Sequence, residues 1–212
     1  DGDEVILPAP YWVSYYEIIK LSGGVPVEVP TSVESDFKIT PEQLEAAITP
    51  KTKMMWFSSP CNPSGSVYNR EELTALAKVL EKHPHVYVVS DEIYEHINFS
   101  GTFCSIASIP GMFERTITVN GVAKAFAMTG WRIGYVCAPR DLINQMVKIH
   151  QYTTLCAPII SQYGAIEALK SAMKDMYSMR ESFARRRRLI YEGFKELGME
   201  IVEPKGAMYV FP

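Results

Sequence analysis

The chain has 212 residues, 47% of them hydrophobic and 21% charged, enough to bury a core and fitting one domain plus part of a second. A formal net charge of −3 argues against nucleic-acid binding, and no apolar run reaches the roughly eighteen residues of a membrane span. Cys61, Cys104, Cys137 and Cys156 lack metal-ligand or redox spacing and read as reduced thiols of a cytoplasmic protein, so no metal is expected.

Val5 to Leu7 reads as a first short strand, directly after Asp1-Gly2-Asp3-Glu4. Helices are expected over Trp12 to Leu21 and Pro41 to Ala47. Met54 to Ser58 is the next apolar run, and Ser59-Pro60-Cys61-Asn62-Pro63-Ser64-Gly65 ends it, because two prolines and a glycine continue neither strand nor helix. A helix is expected over Arg70 to Lys82. Val86 to Ser90, β-branched and aromatic, reads as a buried strand running into Asp91-Glu92-Ile93-Tyr94.

Thr116 to Val119 is a further strand, after which Asn120-Gly121 leads to Lys124. About a dozen residues separate it from Ile133 to Cys137, at the lower limit for a helical crossover between parallel strands. An antiparallel return strand is therefore expected, with Arg132 at the same rim as Lys124. Helices follow over Arg140 to His150 and over Ile159 to Leu197, where Ile159, Tyr163, Ile166, Leu169, Met173 and Met176 recur at three or four residues. One helix of that length is unusual in a globular domain, so a bend is expected near Ser171 to Ser178. Arg185 to Arg188, the basic run within it, reads as a solvated helix surface.

Strands alternating with helices imply an α/β fold, and in open α/β sheets ligands bind beyond the carboxyl ends of the strands. Asn62, Asp91, Tyr94 and Lys124 would meet there. An amine so placed can hold an aldehyde cofactor as a Schiff base, and Arg132 can grip a phosphate bidentately. Each residue has a plainer reading by itself: a surface lysine, an ion-paired arginine, a helix-capping aspartate, a turn asparagine, and core or rim aromatics at Tyr94 and Trp12. Their joint occurrence favours a site. A nicotinamide dehydrogenase is disfavoured because no Gly-x-Gly-x-x-Gly follows a strand.

The run Gly121-Val122-Ala123-Lys124-Ala125-Phe126-Ala127-Met128-Thr129-Gly130-Trp131-Arg132-Ile133-Gly134 resembles the lysine segment of the class I and II, fold-type I pyridoxal-phosphate aminotransferases. Ser59 to Gly65 is similar to that family's Asn-Pro-Thr-Gly loop, and Ser90-Asp91-Glu92-Ile93-Tyr94 to its Asp-Glu-x-Tyr segment. Pro8-Ala9-Pro10-Tyr11-Trp12 resembles the loop that lays an aromatic over the cofactor ring, and Gly206 to Pro212 the first strand of the family's small domain. The wording around Lys124 is most similar to the prokaryote-type aspartate aminotransferases.

The resemblance implies a three-layer sandwich with a mostly parallel sheet and one antiparallel strand, and pyridoxal 5'-phosphate as cofactor. It divides the chain into a cofactor-binding large domain (1–170, incomplete at its N-terminus), a connecting helix (171–197) and the start of a small α+β domain (198–212). Lys124 would carry the cofactor and shuttle the proton, and Asp91 would pair with the ring nitrogen. Tyr94 and Asn62 would bond the phenolic oxygen, Arg132 would bind the phosphate, and Trp12 would stack on the ring. Substrates would be an L-amino acid, aspartate leading, and a 2-oxo acid, 2-oxoglutarate leading, in a homodimer.

Two departures from the family pattern bear on this. Ala123 and Gly121 stand where many members have a phosphate-binding serine or threonine, and no arginine occurs between Arg140 and Arg180, where one subgroup places its distal-carboxylate arginine. The sequence reads as an internal piece, without the phosphate-cup helix N-terminus and the substrate-carboxylate arginine, and as inactive by itself. The alternatives are another specificity (aromatic, alanine or prephenate), or a catalytically incomplete or regulatory aminotransferase-like domain.

Overall fold

A computed structural model describes residues 2–212, and Asp1 lies outside them. Among these residues six strands form one sheet: β1 (Glu4–Ala9), β2 (Val25–Pro30), β3 (Thr52–Ser58), β4 (Tyr87–Asp91), β5 (Thr116–Asn120) and β6 (Tyr135–Cys137). Their order is β2-β1-β3-β4-β5-β6, parallel except for β6, which returns antiparallel to β5 as expected. Six α-helices accompany them: α1 (Ser14–Leu21), α2 (Pro41–Ala47), α3 (Arg70–Glu81), α4 (Arg140–Thr153), α5 (Ile159–Ser171) and α6 (Met173–Glu196).

The central strands are apolar on both sides because both faces are covered. Side chains alternate along β1, so Ile6 joins a core with Leu44 of α2 and Leu73, Leu76 and Leu80 of α3, while Val5 and Leu7 pack with Tyr15 and Ile19 of α1. Burying each such leucine is worth about 1.5–3 kcal/mol. Capping boxes start two of these helices. Thr40 accepts from the Gln43 backbone at 3.2 Å with Pro41 in the first turn, and Asn69 accepts from the Glu72 backbone at 2.8 Å.

The sequence-based outline differs from the structure in several places. β2 went unforeseen because Pro26 and Pro30 interrupt its pattern. It lies at the edge of the sheet, where a proline without an N–H leaves no ladder bond broken. α1 begins at Ser14, so Trp12 lies in the preceding turn rather than in the helix. β6 spans only Tyr135–Cys137, whereas Ile133 was expected to begin it. The long C-terminal helix breaks at Ala172, within the expected stretch.

The apolar stripe of α5 faces outward. Ile159, Ile160, Tyr163, Ile166 and Leu169 are exposed while Ser161 and Ala168 are buried, because Gly164 and Ser161 turn the small-residue side of the helix onto Trp131. The basic run is also not uniformly solvated. Arg187 donates to the Pro204 carbonyl at 2.6 Å and lies over the Phe99 ring, which ties α6 to the terminal segment. No helix among the described residues is long and apolar enough to cross a membrane.

Residues 204–209 lie against the loop after β3. They form one isolated bridge, Gly206 to Asn98, rather than a strand, and the amides of Lys205 and Gly206 both donate to the Gly65 carbonyl at 2.8 and 2.9 Å. A side chain at Gly65 would meet Pro204 Cβ at 2.5 Å, and the backbone there has φ +72. Gly65→Ala should therefore destabilise the fold by about 1–3 kcal/mol through overpacking and strain. A urea-unfolding midpoint checks this, and an unchanged midpoint would show that the segment does not sit against the loop.

Candidate active site

Three neighbouring strands end level with one another. In the register Ser58 lies beside Asp91 and Asp91 beside Val119, so the loops after β3, β4 and β5 open at one edge. Asn62, Tyr94 and Lys124 follow Ser58, Asp91 and Val119 by four, three and five residues. Close backbone approach shapes the third loop. A Cβ on Gly121 would stand 3.0 Å from the Gly134 Cα, and one on Gly134 3.1 Å from the Asn120 carbonyl oxygen, so glycine eases the close passage of the chain beside β5 at both positions. With Asn120 opposite Tyr135, the segment from Lys124 to Arg132 begins and ends at this same edge.

Asp91 is half-buried at the end of β4. The Tyr15 hydroxyl donates to Oδ2 at 2.6 Å and the Ile93 amide to Oδ1 at 3.1 Å. Burial pushes its carboxyl above the usual carboxylate range, opposed by these two hydrogen bonds and by the Lys124 charge. No helix starts here, so the capping role open to an aspartate after a strand does not apply. The adjacent Glu92 is different in kind. It is buried and accepts from the Ser90 and Ser105 hydroxyls at 2.9 and 2.6 Å, which makes it a bracing group behind the strand.

Tyr94 is buried, and its hydroxyl lies 2.7 Å from that of Tyr209. Burial, then the neighbouring Tyr209, pushes the Tyr94 phenol upward, which keeps it a neutral donor. The Asn62 side-chain amide donates to the Tyr209 oxygen at 3.3 Å, and its backbone N–H lies 3.4 Å from the Ser58 hydroxyl. The Lys124 ammonium stands over the Tyr94 ring at 5.8 Å from the centroid. The structure thus brings Asn62, Asp91, Tyr94 and Lys124 together.

Arg132 and Trp12 occupy the rim. Arg132 is exposed, takes a left-handed backbone conformation and donates to the Thr129 carbonyl at 2.9 Å; among the described residues no acidic side chain pairs with it. Trp12 is 45% exposed and stands edge-on to Tyr15, centroids 5.5 Å apart. Two participants escaped the sequence reading. Tyr15 reaches Asp91 across 76 positions and Tyr209 reaches Asn62 across 147, and no local pattern marks either pairing.

All 212 residues match the family described as Aminotransferase class I and II. An aspartate/prephenate aminotransferase of Cereibacter sphaeroides is 50% identical over 100% of the chain and 54% of its own length. The putative aminotransferase YugH of Bacillus subtilis is 47% identical over 100% and 54%. The crystal structure of an aromatic aminotransferase from Pyrococcus horikoshii superposes with a TM-score of 0.97 at 45% identity, covering 100% of this chain and 57% of that one. The chain belongs to the class I and II aminotransferase family and has its α/β fold. It spans about half the length of the curated relatives it matches.

Proposed function

We propose that the full-length protein is a pyridoxal-phosphate-dependent aminotransferase, moving the amino group of an L-amino acid to a 2-oxo acid. Aspartate and 2-oxoglutarate lead as substrates. The observation that carries this reading is the convergence of an amine, a carboxylate, a phenol and an amide at the ends of β3, β4 and β5. That donor set fits a ligand with an aldehyde, a basic ring nitrogen and an acceptor oxygen, and the exposed guanidinium of Arg132, which has no acidic partner among the described residues, suits its phosphate. When bound, the cofactor would supply an electron-withdrawing ring.

The protein's own groups then have distinct tasks. Lys124 holds the cofactor by its amine and, once released, carries the proton at the substrate Cα. Asp91, braced by Tyr15 and Ile93, keeps the ring nitrogen protonated. Tyr94 and Asn62 donate to the phenolic oxygen, Arg132 grips the phosphate, and the exposed Trp12 indole covers a ring face. The division into 1–170, 171–197 and 198–212 belongs to the same proposal, supported by the single helix α6 between the sheet and the docked terminal segment. The exposed apolar side of α5 supports a homodimer, and four free cysteines support a cytoplasmic setting.

Borohydride reduction of the loaded protein followed by peptide mapping should place the pyridoxyl group on Lys124. Label on any other lysine would overturn the assignment. For substrate choice, the Cereibacter relative's name includes prephenate and the Pyrococcus structure is of an aromatic enzyme. A kcat/KM for phenylalanine exceeding that for aspartate would replace the aspartate reading with an aromatic one.

A further inference from the structure

The terminal segment contributes a group to this site that the functional reading does not use. Tyr209 reaches between Asn62 and Tyr94, its ring edge-on to that of Tyr94 with centroids 5.8 Å apart. The donor sense of the first link follows from chemistry. An asparagine amide nitrogen only donates, so the Tyr209 oxygen accepts from Asn62 at 3.3 Å. Either hydroxyl could donate across the 2.7 Å between Tyr209 and Tyr94, and the relay takes the sense in which Tyr209 donates, which leaves the Tyr94 proton for an acceptor in the site.

We propose that Tyr209 is a positioning residue of the active site, the middle of an Asn62 to Tyr209 to Tyr94 hydrogen-bond relay that orients and strengthens the Tyr94 hydroxyl as a donor to the ligand's phenolic oxygen. A hydroxyl that accepts a hydrogen bond becomes a better donor, so the relay raises the donor power of Tyr94 cooperatively. The relay also makes the site depend on the docking of residues 204–209, because Tyr209 is carried by the segment held at Gly65 and Ile97. The inference rests on the proposed cofactor.

The test is the pH titration of the visible absorbance of the lysine-linked cofactor in the full-length protein. A donor to the phenolic oxygen favours the state in which the lysine-linked nitrogen has lost its proton, since that state leaves the oxygen's negative charge without an internal partner. Tyr209→Phe keeps the ring and its packing but removes the relay, and should raise the titration midpoint by about 0.3–0.5 unit. The charged groups facing Tyr94, Lys124 and Asp91, are the same in both proteins. In a Tyr94→Phe background the second change should shift nothing further. An unmoved or lowered midpoint in Tyr209→Phe, or an equal further shift in the double variant, overturns the relay alone. Absence of any visible band in the unaltered full-length protein overturns the proposed cofactor and the relay with it.

Discussion

Lys124→Ala in the full-length protein is expected to abolish transamination, with a loss of about 10⁴-fold or more. Two tasks fall on this one amine. In the proposed reaction it anchors the cofactor and carries the proton at the substrate Cα, a role worth by itself about 10²–10⁴-fold. No hydrogen bond holds its side chain among the described residues; its ammonium stands over the Tyr94 ring at 5.8 Å and its charge acts on Asp91. Removing it should therefore leave the fold intact. Turnover, borohydride labelling and the thermal midpoint together check the prediction: the first two should vanish and the third should hold. Retained turnover above about one-hundredth of the original would show that another base moves the proton.

Asp91→Asn is the second large effect expected. The amide preserves shape but cannot hold a proton on a ring nitrogen, and kcat should fall by about 10²-fold or more, roughly 3 kcal/mol at about 1.4 kcal/mol per decade. The Tyr15 hydroxyl, 2.6 Å from Oδ2, can still donate to the amide oxygen, so the fold should hold, with the Ile93 N–H bond to Oδ1 given up. A pH signature accompanies the loss. Burial raises the Asp91 carboxyl above an ordinary aspartate, so it takes up its proton at a higher pH than the usual value of about 3.9 as the solution is acidified. Only the carboxylate pairs with a protonated ring nitrogen. Cofactor affinity should thus weaken on acidification through that raised pKa, and Asp91→Asn should lose this step while binding less tightly throughout. Near-normal turnover with cofactor bound would assign the role to another acid.

Much of the scaffold was legible because its signals are local. Two-sided burial makes β3 and β4 continuous apolar runs, and the proline-rich loop after β3 stops the strand by chemistry that any reader of Pro60 and Pro63 can apply. β6 followed from length, since about a dozen residues suit a return better than a helical crossover. The edge strand β2 was not legible, because Pro26 and Pro30 carry opposite meanings at an edge and in the centre, and strand order is not written in the segment. The apolar stripe of α5 was visible as a periodicity, but periodicity reports that a face is apolar and not what covers it.

By itself the sequence determined the chemical inventory: a lysine after a strand and a glycine, a carboxylate at another strand's end, an asparagine in a proline loop and an arginine eight residues beyond the lysine. Those assignments depend on residue type and short spacing, which the covalent chain carries directly. Only the tertiary structure decided which groups brace them. Tyr15 and Tyr209 are ordinary aromatics in their own neighbourhoods, one in the first helix and one in a terminal segment without strand pairing. They become partners of Asp91 and Tyr94 because parallel register aligns Ser58, Asp91 and Val119 at one edge, and because Gly65 admits Pro204 against the loop. Hydrogen bonds at 2.6 and 2.7 Å between residues 76 and 115 positions apart are properties of packing, which sets which groups meet only after the sheet order is fixed.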